Sequence, residues 1–334
     1  MFEKDLVAID INEERIAILV GQKYKILDGI ILETPSEAYS EDKIFSVEKL
    51  TEVIKPFIEK RAKVNDCMFV VRGSDIVSRH VTMPMAKEEA MRDSVEFELK
   101  QFVGDRIEEF YFDYEVIHYD KNENNGNANV LIVAVLKEKI DAYIDLGRAL
   151  KLNVKAIDIY ANACARVFRN LKNNFNKKIK SSGVLCIDGH SNSMIITEWN
   201  KLNIEKYQSY GLYQSTDKYI NNLIEYKEYL ESIDLIEVRE EEEKYDRFFK
   251  SLVDQYNSLI QFYTSGKVKK NLDRIYVLGS STMINGVEQF LEVSFNTKVS
   301  DLPSFNDLKS SVKAPKKINL KDYFYAYGLL LRKE

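Results

Sequence analysis

The chain has 334 residues, of which 45% are hydrophobic and 30% charged, and a formal net charge of -5. That length favours about two domains, each able to bury its own core, and the balance is that of an ordinary globular protein. The negative charge excludes a general attraction to nucleic acid or to an anionic membrane surface.

Residues 6–11, 15–20 and 24–32 are apolar runs separated by polar turns at 12–14 and 21–23, and they predict three strands. Ser46 stands where a helix N-cap is needed, ahead of Val47, Leu50, Val53, Ile54, Phe57 and Ile58 on one stripe. Residues 68–71 read as the next strand, so the opening is a β-meander with a crossover helix, the α/β pattern. A second unit spans 76–160: strand 76–81, a helix, strands 110–118 and 130–136, helix 137–151 and strand 154–159. Its first helix follows Pro84 and is expected to turn Met91, Val95, Leu99 and Phe102 to the core. Residues 120–127 carry no apolar side chain and read as a hairpin tip.

A helix is predicted over 161–171. The basic run at 169–180 lacks interleaved aromatics, so it reads as a solvated helix end and linker rather than a nucleic-acid patch. The second half repeats the opening: strands 184–188, 193–199 and 202–207, then two helical stretches. The later one places Tyr245, Phe249, Leu252, Tyr256, Leu259 and Tyr263 in alternating steps of four and three. That stripe is expected to pack on its own domain, with a coiled-coil or partner-binding stripe as the other reading. The acidic run 237–246 before it suits a solvated first helical turn. Strand 274–278, the turn Gly279-Ser280-Ser281, helix 283–293 and a last helix at 323–331 complete the pattern.

Cys67, Cys164 and Cys186 are scattered in apolar stretches and read as buried thiols of a reducing compartment. His80, His118 and His190 are too isolated for a metal site. Acidic residues stand where a signal peptide needs a basic region, and the longest apolar run, 130–136, is far below the ~20 residues of a membrane span. A cytoplasmic chain without direct membrane insertion is expected, held at any membrane by a partner.

Asp10 and Asp188 stand out, about half a sequence apart. Each closes an apolar strand before a tight polar turn and a second apolar strand. That duplicated plan resembles the actin-like ATPases, whose paired hairpins hold the phosphates of ATP across a cleft. The unit at 76–160 resembles the extra domain of the cell-division protein FtsA and of the type IV pilus assembly protein PilM. The nearer resemblance is to the PilM family. It rests on Arg79-His80-Val81-Thr82-Met83-Pro84-Met85 with Glu96 in the helix that follows, and on Leu131-Ile132-Val133-Ala134-Val135-Leu136-Lys137-Glu138. Ala156-Ile157-Asp158-Ile159, then Ser258-Leu259-Ile260-Gln261-Phe262-Tyr263, Ile275-Tyr276-Val277-Leu278-Gly279 and Tyr327-Gly328-Leu329 follow in order over nearly the whole chain.

The resemblance implies a duplicated actin-like, ribonuclease H-like α/β fold with an inserted strand-helix-strand-strand subdomain. Its subdomains would be 1A at 1–75, 1C at 76–160, 2A at 161–210 with 266–334, and a reduced helical 2B at 211–265. It implies ATP and magnesium as cofactors, and a nucleotide pocket at Asp10, Asn12, Arg15, Asp188, Gly189, His190, Gly279, Ser280 and Ser281. Asp10 and Asp188 would order water around the ion.

The phosphate turns depart from the family. Asp10-Ile11-Asn12-Glu13-Glu14-Arg15 stands where Asp-Ile-Gly, small hydroxyls and a lysine are usual. Glycine lets backbone N–H groups approach a phosphate closely, whereas Glu13 and Glu14 repel it. At ~4 Å and an effective dielectric of about 20, one like-charge pair costs about 4 kcal/mol, and Arg15 offsets part of that. In Asp188-Gly189-His190 the glycine comes one place early, and Gly279-Ser280 replaces Gly-Gly while still leaving room for an adenosine.

The expected function is a cytoplasmic actin-like scaffold of type IV pilus assembly. By resemblance it would clasp the N-terminal peptide of a PilN-like membrane protein in a groove between 1–75 and 76–160 and link to the assembly ATPases, with degenerate ATP motifs and no catalysis. Self-association stays open. One alternative is an active ATPase or sugar-kinase-like phosphotransferase, which needs permissive phosphate turns and a carboxylate base. The other is an FtsA-like filament-forming adaptor, whose terminal membrane helix has no counterpart near Leu331.

Overall fold

In β1 (Leu6–Ile11), Val7, Ala8, Ile9 and Ile11 have no solvent exposure, so this strand sits inside the molecule with both faces covered. The computed structural model describes residues 4–60, 64–120, 126–172, 179–199, 201–215, 222–236, 243–265 and 270–332. Around β1 lie β2 (Arg15–Gln22) and β3 (Lys25–Glu33), antiparallel in sequence order, and β6 (Asp66–Val71), parallel on its other side. The small hairpin β4 (Tyr39–Ser40) and β5 (Lys43–Ile44) lies in a stretch that reads as a polar loop in the sequence. β10 (Asn153–Ile159) completes the sheet, whose order is β10-β6-β1-β2-β3.

The second half repeats this arrangement. β11 (Ser181–Ile187), β12 (Asn192–Glu198) and β13 (Lys201–Gln208) form the meander, and β14 (Arg274–Leu278) runs parallel beside β11. With β15 (Val299–Ser300) the order is β13-β12-β11-β14-β15, matching the first sheet strand for strand. The duplication expected from the two Asp-ending hairpins is therefore present.

Both faces of the second sheet are buried, and its side chains alternate between two cores. Val184, Cys186, Ile195 and Tyr276 join the large core shared with the first sheet. Leu185, Ile187, Met194, Ile196 and Val277 face a separate core built with the helices of the second half. A one-residue slip would exchange the two sets, so the register is firmly held. Each Leu or Ile removed from water here contributes about 1.5–3 kcal/mol.

Between the sheets run α4 (Tyr160–Arg169) and the last helix, α8 (Phe324–Leu330). α4 touches strands of both sheets, and α8 lies on β1, β2 and β6. α8 is buried over its whole length, as a helix enclosed on all sides must be. The two helices meet at Gly328, where a Cβ would stand 2.3 Å from the Ala163 carbonyl oxygen. α1 (Val47–Glu59) is capped by Ser46, whose side chain accepts from Lys49 N–H, as its sequence predicts. The second core is covered by α5 (Leu223–Glu231), α6 (Glu243–Thr264) and α7 (Val287–Phe295). Tyr245, Phe249, Leu252, Tyr256 and Tyr263 of α6 are buried in it, so that stripe does pack on its own domain.

The inserted unit has a three-stranded antiparallel sheet, β7 (Val77–Pro84), β9 (Asn127–Leu136) and β8 (Phe110–Asp120), in the order β7-β9-β8. α2 (Glu88–Val103) packs on it and α3 (Lys137–Ala149) leads back to β10. Met91, Val95 and Leu99 are in the core as expected. Phe102 is not: it is 50% exposed, with the Arg79 guanidinium 5.2 Å from its ring centroid. Three residues beyond Leu99 in the last turn, it has rotated off the buried stripe, and a cation over its face takes the place of core contacts. The helix expected at 283–293 begins four residues late, because Ser280–Met283 forms a 3-10 turn and Gly286 (φ +81) stands at its N-terminus. The hairpin tip at 121–125, the middle of the basic run at 173–178 and most of the acidic run, 237–242, lie outside the described residues.

Candidate functional site: an internally bonded cleft and a groove

The first phosphate-type turn closes on itself. Asn12 Oδ1 accepts from the N–H groups of Glu14 (3.0 Å) and Arg15 (2.7 Å), and Asn12 N–H donates to the Arg15 carbonyl at 3.0 Å. The backbone donors that would face an anion are engaged by an asparagine side chain, a local turn bond that Asn makes readily.

Asp10, expected near a magnesium ion, already has a cation. Arg72 donates to its carboxylate, and their side chains are 4% and 8% exposed. The guanidinium also lies 5.3 Å from the centroid of the Tyr325 ring. A charge buried this deeply requires a partner, and Arg72, at the end of β6, supplies it. Arg15, expected to offset the repulsion of Glu13 and Glu14, instead donates to the Asp322 carbonyl at 3.1 Å and ties β2 to the segment before α8. At this distance it still lowers the proton affinity of Glu14 a little.

The second and third turns meet around Asp188. Its Oδ1 accepts from Ser280 N–H at 3.0 Å. Leu212 and Tyr213 donate their N–H groups to the carbonyls of Asp188 (3.0 Å) and Gly189 (2.7 Å). Gly279 adopts φ +93, and a Cβ there would lie 2.6 Å from Asp188 Oδ1. Only glycine serves at such a position. Ser281 is fully buried, and its hydroxyl has no hydrogen-bond partner among the described residues.

Polar side chains of the first half cross to these turns. Glu14 accepts from Gly189 N–H with one oxygen and from Ser280 Oγ, at 2.6 Å, with the other. Burial pushes its carboxyl up to about 7, the Asp188 charge adds to that, and the Ser280, Gly189 and Arg15 donors oppose it. Glu13 pairs with His190 Nδ1 at 2.8 Å and accepts from Glu41 N–H at 2.7 Å. Burial pulls the His190 imidazole down, but the hydrogen bond and charge of Glu13, followed by Glu14 and Asp42, carry it above its ordinary value. Its ring centroid lies 4.5 Å from that of Tyr213. Asp42, in the β4–β5 turn, accepts from Tyr207 OH (2.5 Å) on β13 and from Ser209 Oγ (3.1 Å) just after it.

The donor set does not fit a magnesium triphosphate. Backbone N–H groups of both hairpin turns and the Ser280 hydroxyl are engaged by Asn12, Glu14 and Asp188, and Asp10 is held by Arg72. Among the described residues no group of three or more His, Cys, Asp or Glu is placed to hold a metal. Of the pocket residues inferred from the sequence, Asp188, Gly189 and Ser280 converge directly, with Gly279 against Asp188. Asp10, Arg15 and His190 turn to other partners. Arg72, Asp42 and Tyr207 complete the cleft although they are not among the residues singled out from the sequence. Nothing in their spacing flags them, although a lone arginine ending an apolar strand signals a buried charge in need of a carboxylate.

A second feature is a groove of about 1110 Å³ between the first sheet and the inserted unit. β10 and β8, each the outermost strand of its sheet, both line it, with Val133 and Val135 of β9 and Ile140 and Ile144 of α3. One end carries arginines: Asp158 Oδ2 accepts from Arg166 (2.5 Å) and Arg332 (2.8 Å), and Arg169 pairs with Glu115 at 3.2 Å. Asn162 Oδ1 and Arg169 Nε, both on lining residues, are buried without hydrogen-bond partners among the described residues. The volume slightly exceeds that of most small-molecule pockets and suits an elongated occupant.

Residues 8–334 match the family model for the type IV pilus assembly protein PilM. Among solved structures, the PilM-PilN type IV pilus biogenesis complex aligns with a TM-score of 0.80 at 15% identity, covering 98% of this chain and 97% of that one. The ethanolamine utilization protein EutJ from Carboxydothermus hydrogenoformans aligns at 0.53 and 8% identity, covering 99% and 90%. MreB 5 of Spiroplasma citri bound to AMPPNP aligns at 0.52 and 8%, covering 93% and 94%, and both share the actin-like fold. A search of curated proteins found no match. With two matching five-stranded sheets, an inserted three-stranded unit and a family match over almost its whole length, the chain belongs to the type IV pilus assembly protein PilM family.

Proposed function

We propose that this chain is a scaffold of type IV pilus assembly that holds the extended N-terminal peptide of a PilN-like membrane protein, and that it does so without nucleotide. The groove between the first sheet, at its β10 edge, and the inserted three-stranded sheet carries the reading. Only Lys23 and Val71 of residues 1–75 line it, so the wall expected from 1–75 is supplied chiefly by β10. Two outermost strands, β10 and β8, flank an apolar floor, the arrangement in which an added peptide strand gains backbone hydrogen bonds and side-chain pockets together. The unpartnered Asn162 Oδ1 and Arg169 Nε supply one acceptor and one donor for such a peptide. A relative of the same fold is a PilM-PilN complex, which supports that choice of partner.

In this reading residues 1–75, 76–160, 161–210 with 266–334, and 211–265 act as the four subdomains of the actin-like plan. The chain lies at the cytoplasmic face of the membrane through its partner and links that partner to the assembly ATPase. Among the described residues no helix is long and apolar enough to cross a membrane. The engaged donors of the cleft weigh against an ATPase or phosphotransferase.

Isothermal titration of the full chain with a synthetic N-terminal peptide of the PilN-like partner tests the proposal. Saturable heat with one peptide per chain is expected, lost on Ala156→Arg, which places a long cation on the groove side of β10. Absence of saturation at high micromolar peptide would overturn it.

A further inference from the structure

We infer that the Glu14 carboxyl group is the resident occupant of the anion seat of this cleft, an internal ligand that joins the two halves where other chains of the fold place a nucleotide phosphate. Three observations carry this. Glu14 is only 8% exposed although it lies in a hairpin turn, so it has been drawn inward rather than left in water. Its two oxygens take the two kinds of donor a phosphate would use, the Gly189 N–H in the second turn and the Ser280 hydroxyl in the third. Glycine at 189 is required by that approach, because a Cβ there would lie 2.6 Å from Glu14 Oε1 and 2.4 Å from the Tyr213 ring.

The rest of the cleft is built around the same closure. Asn12 engages the N–H of Glu14 itself and so fixes the start of the side chain. Glu13 to His190, Tyr207 and Ser209 to Asp42, and Leu223 N–H to Glu33 at 3.1 Å add parallel bridges between first-half carboxylates and second-half donors. The charged and titratable groups facing Glu14 are Asp188 from the second turn, Arg15 from its own hairpin, His190, and the Tyr213 and Tyr226 hydroxyls. Asp188 is the one repulsive neighbour among them. Ser280 mediates by donating to Glu14 and by presenting its N–H to Asp188. A phosphate entering this seat would have to displace Glu14 and meet Asp188 as well. The inference does not depend on which peptide the groove takes.

Hydrogen–deuterium exchange on the full chain, resolved at the Gly189 amide, tests it. Glu14→Ala removes the acceptor, and Glu14→Asp keeps the charge but shortens the reach. Both are expected to speed exchange at Gly189 roughly tenfold or more, the usual scale for losing a buried hydrogen bond. Glu14→Gln keeps an acceptor for Gly189 and is expected to stay near wild type. Should Glu14→Ala fail to fold, the Asp and Gln variants decide the matter by their contrast. Equal exchange in all variants overturns the proposal, and so does a Gln variant as fast as the Asp variant. Added millimolar Mg·ATP is expected to leave wild-type exchange unchanged, and slowed exchange at Gly189 would mean that nucleotide takes the seat.

Discussion

Arg72 holds Asp10 in an ion pair that lies almost entirely out of solvent, at the point where β1 and β6 end side by side. The pairing follows from topology: parallel strands neighbouring in a sheet bring their C-terminal ends together, and Asp10, the penultimate residue of β1, puts a carboxylate there beside Arg72, which follows β6. Removing one partner leaves the other buried and unpaired. Arg72→Met and Asp10→Leu should each cost about 3–5 kcal/mol in chemical denaturation, while the double variant should recover much of that. If either single variant unfolds within about 0.5 kcal/mol of wild type, the pair is not structural.

Glu14 sets the pH response. Its folded value of about 7 lies above the ordinary 4.5, so between those values the folded chain retains a proton that the unfolded chain has released. Stability should therefore be greatest at the acid end of the window and fall as pH rises to about 7, by about 3 kcal/mol from this group. Asp42, raised by burial, and His190, raised by Glu13 against its burial, act in the same sense. Urea unfolding of wild type and Glu14→Gln from pH 5 to 8 checks this. A wild-type slope no steeper than that of the Gln variant would count against it.

Asn162 offers a way to separate fold from binding. Its Oδ1 is buried and unpartnered among the described residues, and its Nδ2 donates to Asp158 Oδ1 only at 3.4 Å, so Asn162→Leu should cost no more than about 1 kcal/mol of stability. Peptide affinity should fall on the order of tenfold if the peptide supplies the missing donor. A stable variant with unaltered affinity would place the peptide elsewhere.

Gly279→Ala should destabilise the third turn. The residue needs a left-handed φ, and its new methyl would press on Asp188 Oδ1 and the Ile187 carbonyl. A loss of about 1–3 kcal/mol is expected, with Tm falling by several degrees. An unchanged Tm would show that the turn relaxes freely.

The strands, their turns, most helices and the repeated plan were legible in the sequence, because each depends on residues near one another along the chain. Apolar runs and turn formers mark strands, Ser46 marks a helix start, and the stripe from Tyr245 to Tyr263 marks a face. The ordered motifs pointed to the pilus assembly family, and the family match bears this out. Phe102 shows the limit of periodicity, which says which residues share a face and not where a buried stripe ends. The cleft was legible only as a loss of glycines. Its actual bonds join Glu14 to Gly189 and Ser280 across sequence separations of 175 and 266 residues, and only tertiary structure decides such contacts. The sequence alone shows acidic residues beside a phosphate turn, and Coulomb's law then predicts repulsion. Folding brought the second half's donors within reach of those carboxyl groups, and the same charges became the bridges that close the cleft.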